Sequence, residues 1–534
     1  MLTRGAWASL ILLAFACGPS DPASPTPVRP KDDATIIREP SSIARVTADG
    51  PLRQGFGAPP TDTAVTVHVV GTRLEGAEEV RVGPADKAIF GIVTENTPTT
   101  LAFTVKVPHG APLGKQPLTA RVANGTVSYA DAVTIGPIVA SPDGRDSRDA
   151  STIDANPASS AEPAGTEGSP FRSLTKAISV AGEGDTILLR DGTYDAQHGE
   201  TFPTITSHSP VTSAPNVLAG LTIKGESAEK TRIVGPSSEV CAVGKGQVGL
   251  ALAGDARIES LDVSGFCEGV SVNAGAATVV GVRVHHVYVG IYALGHANVT
   301  LESVDADAWA DAVEAVEQAS LHVVGGRLHH SWNGISFRSR GTLTVTGTEI
   351  DANGEPDDDG TGGIWLPYES VVTITDAKIH DNNPFGILTG YKITSLPLTV
   401  TRTSFVNNAR AGLYIGGRCT VKARESTFAD KQHDVWIESG AVLDFGTPKD
   451  PGKNTFIICG ACNAFLDGRS AGNKLDTPPI TVTGNTWIGI PASPPVGCSA
   501  ADSSAATPRY WQIRNPGYCP SAIGNVILNS PAEQ

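Results

Sequence analysis

Arg338, Arg340, Tyr368, Glu369, Tyr391, Lys392 and Arg418 recur in short groups along one stretch of the chain. Guanidinium and ammonium groups bind carboxylates, and aromatic rings stack on the flat faces of sugars. Beside a neutralised uronate, Lys392, Arg338 or Arg340 could abstract a proton, which makes them the candidate catalytic bases. A second series, Tyr292, Glu314, Ser336, Arg338, Trp365, Leu388, Tyr414, Trp436 and Glu438, contributes four more aromatics. Tyr292, Trp365, Tyr368, Tyr391, Tyr414, Trp436 and Arg418 are the candidate substrate-binding residues.

Two acidic groups flank this set. Asp305, Asp307, Asp311 and Glu314 surround Trp309, and Glu355-Pro356-Asp357-Asp358-Asp359-Gly360 forms a second run. Clustered carboxylates supply the hard oxygen ligands of calcium, so Asp357, Asp358 and Asp359 are the candidate metal ligands. A solvated acidic loop has the same composition, and EF-hand spacing is absent. His285, His329 and His380, with Asp305 and Asp351 interleaved, suggest a second metal ladder, although His and Asp are also ordinary turn residues.

These residues meet only if the chain stacks in short coils. A small residue or Asp followed by a branched apolar residue recurs at Gly269-Val270, Gly290-Ile291, Ala312-Val313, Gly334-Ile335, Gly363-Ile364, Gly386-Ile387, Gly412-Leu413 and Asp434-Val435. The steps run from 21 to 29 residues, the longest containing the acidic run. Val263, Val284, Leu328, Ile350, Ile379, Phe405 and Phe428 form a second apolar row. A coil this short cannot bury its own apolar face, so coils must stack about 4.8 Å apart around a shared core. Alternation from the anchors turns Ile335 and Phe337 inward and the aromatic series outward, onto one sheet. Those rings are either exposed for stacking or covered by a loop or the tail after 490. Asn353, Asn382 and Asn408 hold one position on three coils and predict a ladder of amide hydrogen bonds.

Ser169-Pro170-Phe171-Arg172-Ser173-Leu174-Thr175-Lys176-Ala177-Ile178, then Ala181-Gly182-Glu183-Gly184-Asp185-Thr186-Ile187, place Leu174, Ala177, Ile178 and Ala181 on one helical face before a strand. This segment resembles the entry of pectin-lyase-like β-helices, specifically the DUF1565 family, in which a short helix caps the first coil. The resemblance implies a right-handed single-stranded parallel β-helix over 168–490, followed by a capping tail over 491–534. The Asp-Asp, Gly-His-Gly and Arg-Ile-Lys strings of polygalacturonases are missing, as is the Asp-Pro-His-Asp string of mannuronan epimerases. No family catalytic residue carries over, and the fold alone licenses no activity.

Upstream, alternating runs such as Val65-Thr66-Val67-His68-Val69 and Leu101-Ala102-Phe103-Thr104-Val105 predict a small β-sandwich over 37–137. Val67 to Gly76, Val80 to Gly83 and Val107 to Gly114 resemble the IPT/TIG immunoglobulin-like family. A Pro/Ser/Asp-rich tether spans 17–36, and a linker rich in Asp, Ser, Ala and Pro spans 138–167. The chain is thus all-β, an immunoglobulin-like sandwich preceding a parallel β-helix.

Arg4 and the apolar run Ala6 to Ala16 read as a signal peptide over 1–16, too short to span a bilayer. Ala14-Phe15-Ala16-Cys17 resembles a bacterial lipobox, which implies lipidation at Cys17. Leu is expected at position 14 and a small residue at 15, and Ala14-x-Ala16 also suits plain secretion. Lipidation at Cys17 would hold the exported chain at the cell envelope or outer surface, whereas plain secretion would leave it secreted and soluble. Of eight cysteines, Cys241–Cys267 and Cys498–Cys519 are plausible bridges by local spacing. Cys459-Gly-Ala-Cys462 stands without the second motif that zinc or redox chemistry needs.

The net charge of −15, with no Lys/Arg stripe, disfavours nucleic acid. The partners expected are an extracellular polysaccharide and, through the lipid, a membrane; the sequence is silent on oligomeric state. Polysaccharide binding is the leading expectation. A non-catalytic adhesion or envelope spacer and a calcium-assisted polysaccharide lyase or glycoside hydrolase are the alternatives.

Overall fold

The computed structural model describes residues 40–55, 64–144, 164–206, 217–236, 241, 245–356, 358–437, 441–457, 463–467, 480–488, 511–513 and 526–527. The signal segment, Cys17, Cys459, Cys462, Cys498 and Cys519 lie outside them. Among the described residues no helix is long and apolar enough to cross a membrane.

The first domain has eight strands: β1 (Ser42–Ala48), β2 (Leu52–Arg53), β3 (Val65–Thr72), β4 (Glu79–Val82), β5 (Ile89–Asn96), β6 (Thr100–Val105), β7 (Gly114–Val122) and β8 (Gly125–Gly136). They hydrogen-bond in the order β1-β3-β6-β5-β4-β7-β8-β2. Period-two patterning explains the burial: Val65, Val67 and Val69 are buried on β3 while His68 is exposed. These side chains meet Val80, Leu101, Phe103 and Leu118 in one core, giving the expected β-sandwich.

The segment expected to be a linker from 138 instead begins with a strand. β9 (Ile138–Ala140) pairs in parallel with β10 (Thr186–Leu189), the first strand of the solenoid. The apolar Ile-Val-Ala triplet adds to that edge, and all three residues are buried. Asp185 anchors the junction. Its buried carboxylate accepts from Gly110 N at 2.8 Å and Gly182 N at 2.9 Å, and it pairs with His109 Nδ1 at 2.5 Å. Gln54 Oε1 accepts from Thr186 N at 2.7 Å. The entry helix α1 (Leu174–Val180) starts at Ser173, whose side chain accepts from Lys176 N, and Glu200 accepts from Leu174 N and Thr175 N. Leu174 and Ala177 enter the solenoid core.

Among the described residues the solenoid has three sheets of 14, 12 and 13 strands, parallel except where Thr204–Thr206 runs antiparallel to Lys245–Ala253. The third sheet aligns Val270, Ile291, Val313, Ile335, Ile364, Ile387, Leu413 and Val435 residue against residue, as the sequence anchors require. The second aligns Val263, Val284, Ala306, Leu328, Ile350, Ile379, Phe405 and Phe428. Ala306 fills the one coil where the apolar row had seemed interrupted. Phe405, Phe428 and Phe456 stack at 5.0 Å steps, the coil spacing. Strands Trp511–Ile513 and Val526–Ile527 continue the third and first sheets, so solenoid pairing extends past the expected limit at 490.

Two corner types close each coil. Between the first and second sheets a single residue turns in the left-handed region, as at Ser303 (φ 53°), Asp376 (φ 54°) and Arg402 (φ 47°). Entering the third sheet, the small anchor residue points into the interior. A Cβ on Gly386 would lie 2.6 Å from Gly412 O, and one on Gly334 would lie 2.7 Å from Ile350 Cγ2. That crowding is why Gly or Ala fills this position in every coil from Gly269 to Gly412, Asp434 being the exception. Under this corner runs the predicted amide ladder: Asn353 Nδ2 donates to Asn382 Oδ1 at 3.0 Å, and Asn382 Nδ2 to Asn408 Oδ1 at 3.0 Å. Asn408 Nδ2 donates to Asp430 Oδ1 at 2.7 Å and ends the run. The Cys241–Cys267 disulfide is present.

Candidate functional site

The outer face of the third sheet carries two columns of side chains. One is Ser271, Tyr292, Glu314, Ser336, Trp365, Leu388, Tyr414 and Trp436, the expected outward series in its expected register. The other begins three residues earlier on each strand: Glu268, Val289, Asp311, Asn333, Gly362, Phe385, Ala411 and His433. The inward corner residue lies between the two, so strict alternation misses this second column.

Together the columns bury the rings that were expected to be exposed. Tyr292 (6 % exposed), Tyr414 (3 %) and Trp436 (7 %) are buried, and Trp365 is half-buried. Phe385 fills the space beside them, 4.6 Å from the Tyr414 ring, and Tyr414 lies 5.2 Å from Trp436. Phe385, Tyr414, Trp436 and Trp365, with Leu388 and Ala411, make a second apolar cluster outside the solenoid core, and Tyr292 belongs to a separate one. Tyr292, Tyr414 and Trp436 therefore offer no free face to a sugar. Glu438 lies outside the described residues.

The coils before Trp365 are polar on the same face. Asn333 Nδ2 donates to Asp311 Oδ1 at 2.8 Å, and Arg338 Nη1 donates to Glu314 Oε1 at 2.9 Å. Arg338 also lies 6.0 Å from the centre of the Trp365 ring. Burial pushes the Asp311 carboxyl up to about 7, helped by the charge of Glu314. Burial likewise pushes Glu268 up to about 7, with Glu314 adding to the effect. Glu268 was not foreseen, because its column was not.

At the end of these strands an open cavity of about 560 Å³ is lined by Val316, Glu317, Gln318, Arg338, Arg340 and Tyr368. Three expected site residues therefore converge. Arg338 and Arg340 are exposed, and Tyr368 is 44 % exposed. Arg340 Nε lies 4.0 Å from Glu369 Oε2, a loose surface pair. Tyr391 (66 % exposed), Lys392 and Arg418 are also exposed but lie outside the lining of this cavity. Tyr391 reaches back to Tyr414, hydroxyl to hydroxyl, at 2.5 Å. On the opposite edge of the sheet Tyr288, Trp309 and Trp332 pack as a row of tilted rings, with centroids 5.2 Å and 4.7 Å apart. Trp309 is 62 % exposed.

Among its described residues, the acidic loop does not gather its carboxylates on one point. Asp358 Oδ1 accepts from Gly360 N at 2.8 Å within its own turn, whereas Asp359 pairs with Arg410. Asp357 lies outside the described residues. In the His/Asp ladder, register puts Asp307 in the histidine column and Asp305 in the neighbouring column, level with Arg283. His285 donates to Asp262 at 3.0 Å, His329 to Asp305 at 2.9 Å and His380 to Glu349 at 2.9 Å, each to the other outward column of the sheet. Glu349, Asp351 and His380 bring ligand atoms within 4.8 Å of one another. Yet Arg327 already holds Asp351 through two bonds of 2.7 Å and 2.6 Å. These columns read as ion-pair rungs between coils.

The family model described as "Right handed beta helix region" matches residues 268–428, and the one described as "Protein of unknown function (DUF1565)" matches residues 159–300. No curated protein and no solved structure matches the chain. The matches cover the coils whose register is given above and the helix-capped entry that leads into them. Residues 268–428 are thus similar to a right-handed β-helix region and residues 159–300 to DUF1565, in agreement with the parallel solenoid that the strands form.

Proposed function

We propose that this is an exported, lipid-anchored surface protein that binds an extracellular polysaccharide in the groove formed by Arg338, Arg340 and Tyr368. The β-helix and DUF1565 matches are consistent with a carbohydrate-related surface protein. The observation that carries the reading is the open cavity of about 560 Å³ with two exposed guanidinium groups and one exposed phenol ring on its walls. Guanidinium forks suit the carboxylates of uronate sugars, and the Tyr368 ring suits a sugar face. Tyr391, Lys392 and Arg418 extend the same chemistry onto later coils.

Pull-down on immobilised polygalacturonate, alginate and xylan tests it. Tyr368→Ala with Arg340→Ala should weaken retention at least about tenfold, the loss of roughly 1.4 kcal/mol or more. Retention unchanged by that double variant, or absent on every polymer, overturns the reading. Mass spectrometry of the mature N-terminus tests the anchor: a diacylglyceryl adduct on Cys17 supports it, and an unmodified cleaved terminus removes it.

A spacer or adhesion role is the second reading. The burial of Tyr292, Tyr414 and Trp436 favours it, since those rings stiffen the solenoid.

A further inference from the structure

The polar half of the third sheet's outer face holds more carboxyl groups than its ion pairs use. Asp311 and Glu314 share the strand Asp311–Glu317 and the same outer face, and they face different partners. Asn333 gives Asp311 one amide hydrogen, whereas Glu314 receives the cationic fork of Arg338. The environments split the pair, because burial and the neighbouring negative charge of Glu314 favour a proton on Asp311.

An independent observation points to a ligand here. Glu268 Oε2 and Asn333 Oδ1 are buried and have no hydrogen-bond partner among the described residues, and Ser336 Oγ, beside the Asp311 carboxyl, makes no well-aligned bond. Their side chains are 5 %, 5 % and 0 % exposed, and all three belong to the two columns that hold Asp311 and Glu314. Buried polar atoms are satisfied in the great majority of native sites. Acceptors and a hydroxyl set in a row suit a ligand rich in hydroxyl groups. Arg338 joins this row to the open cavity, since it bonds Glu314 and lines the cavity wall.

The geometry points to Asp311 and Glu314 as the acid and base of a glycoside-hydrolysing site, acting on the polysaccharide held in the adjacent groove. The assignment rests on the binding function proposed above. Asp311 gives its proton to the glycosidic oxygen as the bond from that oxygen to the anomeric carbon breaks. A water molecule forms the new bond to the anomeric carbon, and Glu314 takes the proton that this water sheds. The products are two shorter chains, one with a new reducing end. Asp311 is left as the carboxylate and Glu314 as the acid, and proton exchange with solvent restores both. Glu268, Asn333 and Ser336 hold sugar hydroxyls, a positioning role. Lys392 and Arg340 take no part in the proton transfers.

The test uses the full chain on polygalacturonate, xylan and mixed-linkage β-glucan, with polymer binding and release of reducing ends measured in parallel. Release of reducing ends is expected from at least one polymer that is bound. Asp311→Asn and Glu314→Gln should each lower that rate at least about 100-fold. Both variants should stay folded by thermal melting and retain polymer binding within about threefold, because neither side chain lines the cavity and each amide keeps the size of the carboxyl it replaces. Binding without release of reducing ends overturns the hydrolytic assignment and leaves the binding function standing. Binding to none of the polymers overturns both. A rate that survives Asp311→Asn and Glu314→Gln overturns the assignment of these two residues.

Discussion

Arg338 Nη1 donates to Glu314 Oε1 at 2.9 Å across neighbouring coils, tying the carboxylate row of the third sheet to the wall of the open groove. The two residues are 24 positions apart in the chain and meet only because one coil lies on the next. Several properties of the molecule depend on such contacts between coils.

Trp436→Ala should destabilise the solenoid by about 3–5 kcal/mol, because the ring is packed against Tyr414, Phe385 and His433. Chemical denaturation measures this. A free, sugar-stacking Trp436 would instead lose ligand affinity with little loss of stability.

Asn382→Ala should cost about 2–3 kcal/mol, more than an ordinary surface change. Its Oδ1 accepts from both the backbone N and the Nδ2 of Asn353, and its own Nδ2 donates to Ile350 O and Asn408 Oδ1. Truncation strands those groups in a buried corner. Urea titration of the variant checks the size of the loss.

Asp430 ends that ladder and should make stability depend on pH. Burial pushes its carboxyl up to about 7, whereas an unfolded Asp titrates near about 3.9. Below about pH 4 both states hold the proton. Between about pH 4 and 7 only the folded state does, so stability falls as pH rises through this window. Asp430→Asn removes the titration and continues the ladder, so its melting temperature should exceed that of the parent at pH 8 and vary less between pH 4 and 8. Buried Asp434, also raised, adds to the same trend in the parent. Thermal melts at several pH values for both proteins check it.

Asp185→Ala should loosen the sandwich from the solenoid. The carboxylate serves Gly110 N, Gly182 N and His109 together, and the variant leaves two amide donors short of an acceptor. Limited proteolysis should then cut around 141–167 faster than in the parent. Unchanged cleavage would assign the junction to the β9–β10 pairing and the Gln54–Thr186 bond.

The repeat was legible because its constraints are local in sequence. Each anchor, from Gly269-Val270 to Asp434-Val435, needs a small corner residue and an inward branched one, and the strands align on those positions. The Asn ladder was legible for the same reason, as one residue type recurs at one position under a corner. Ring exposure was not legible, because it depends on a second column. Phe385 and His433 fill the outer face from beyond a corner that breaks the alternation of a strand. The displacement of Asp305 from the histidine column has a similar origin, since the coil there carries Ala306 where a large apolar residue was sought. Arg338, Arg340 and Tyr368 were found from spacing alone because Arg338 sits near the end of the strand Asn333–Ser339, and Arg340 and Tyr368 lie just past strand ends on neighbouring coils. Glu268 was invisible, since nothing in its own stretch marks it as a neighbour of Glu314.

Diffraction from crystals soaked in an oligogalacturonide tests the central claim most directly. The account predicts sugar density against the Tyr368 ring, with a uronate carboxylate at Arg338 or Arg340. An empty groove with sugar bound on another face, or no sugar bound at saturating concentration, would contradict it.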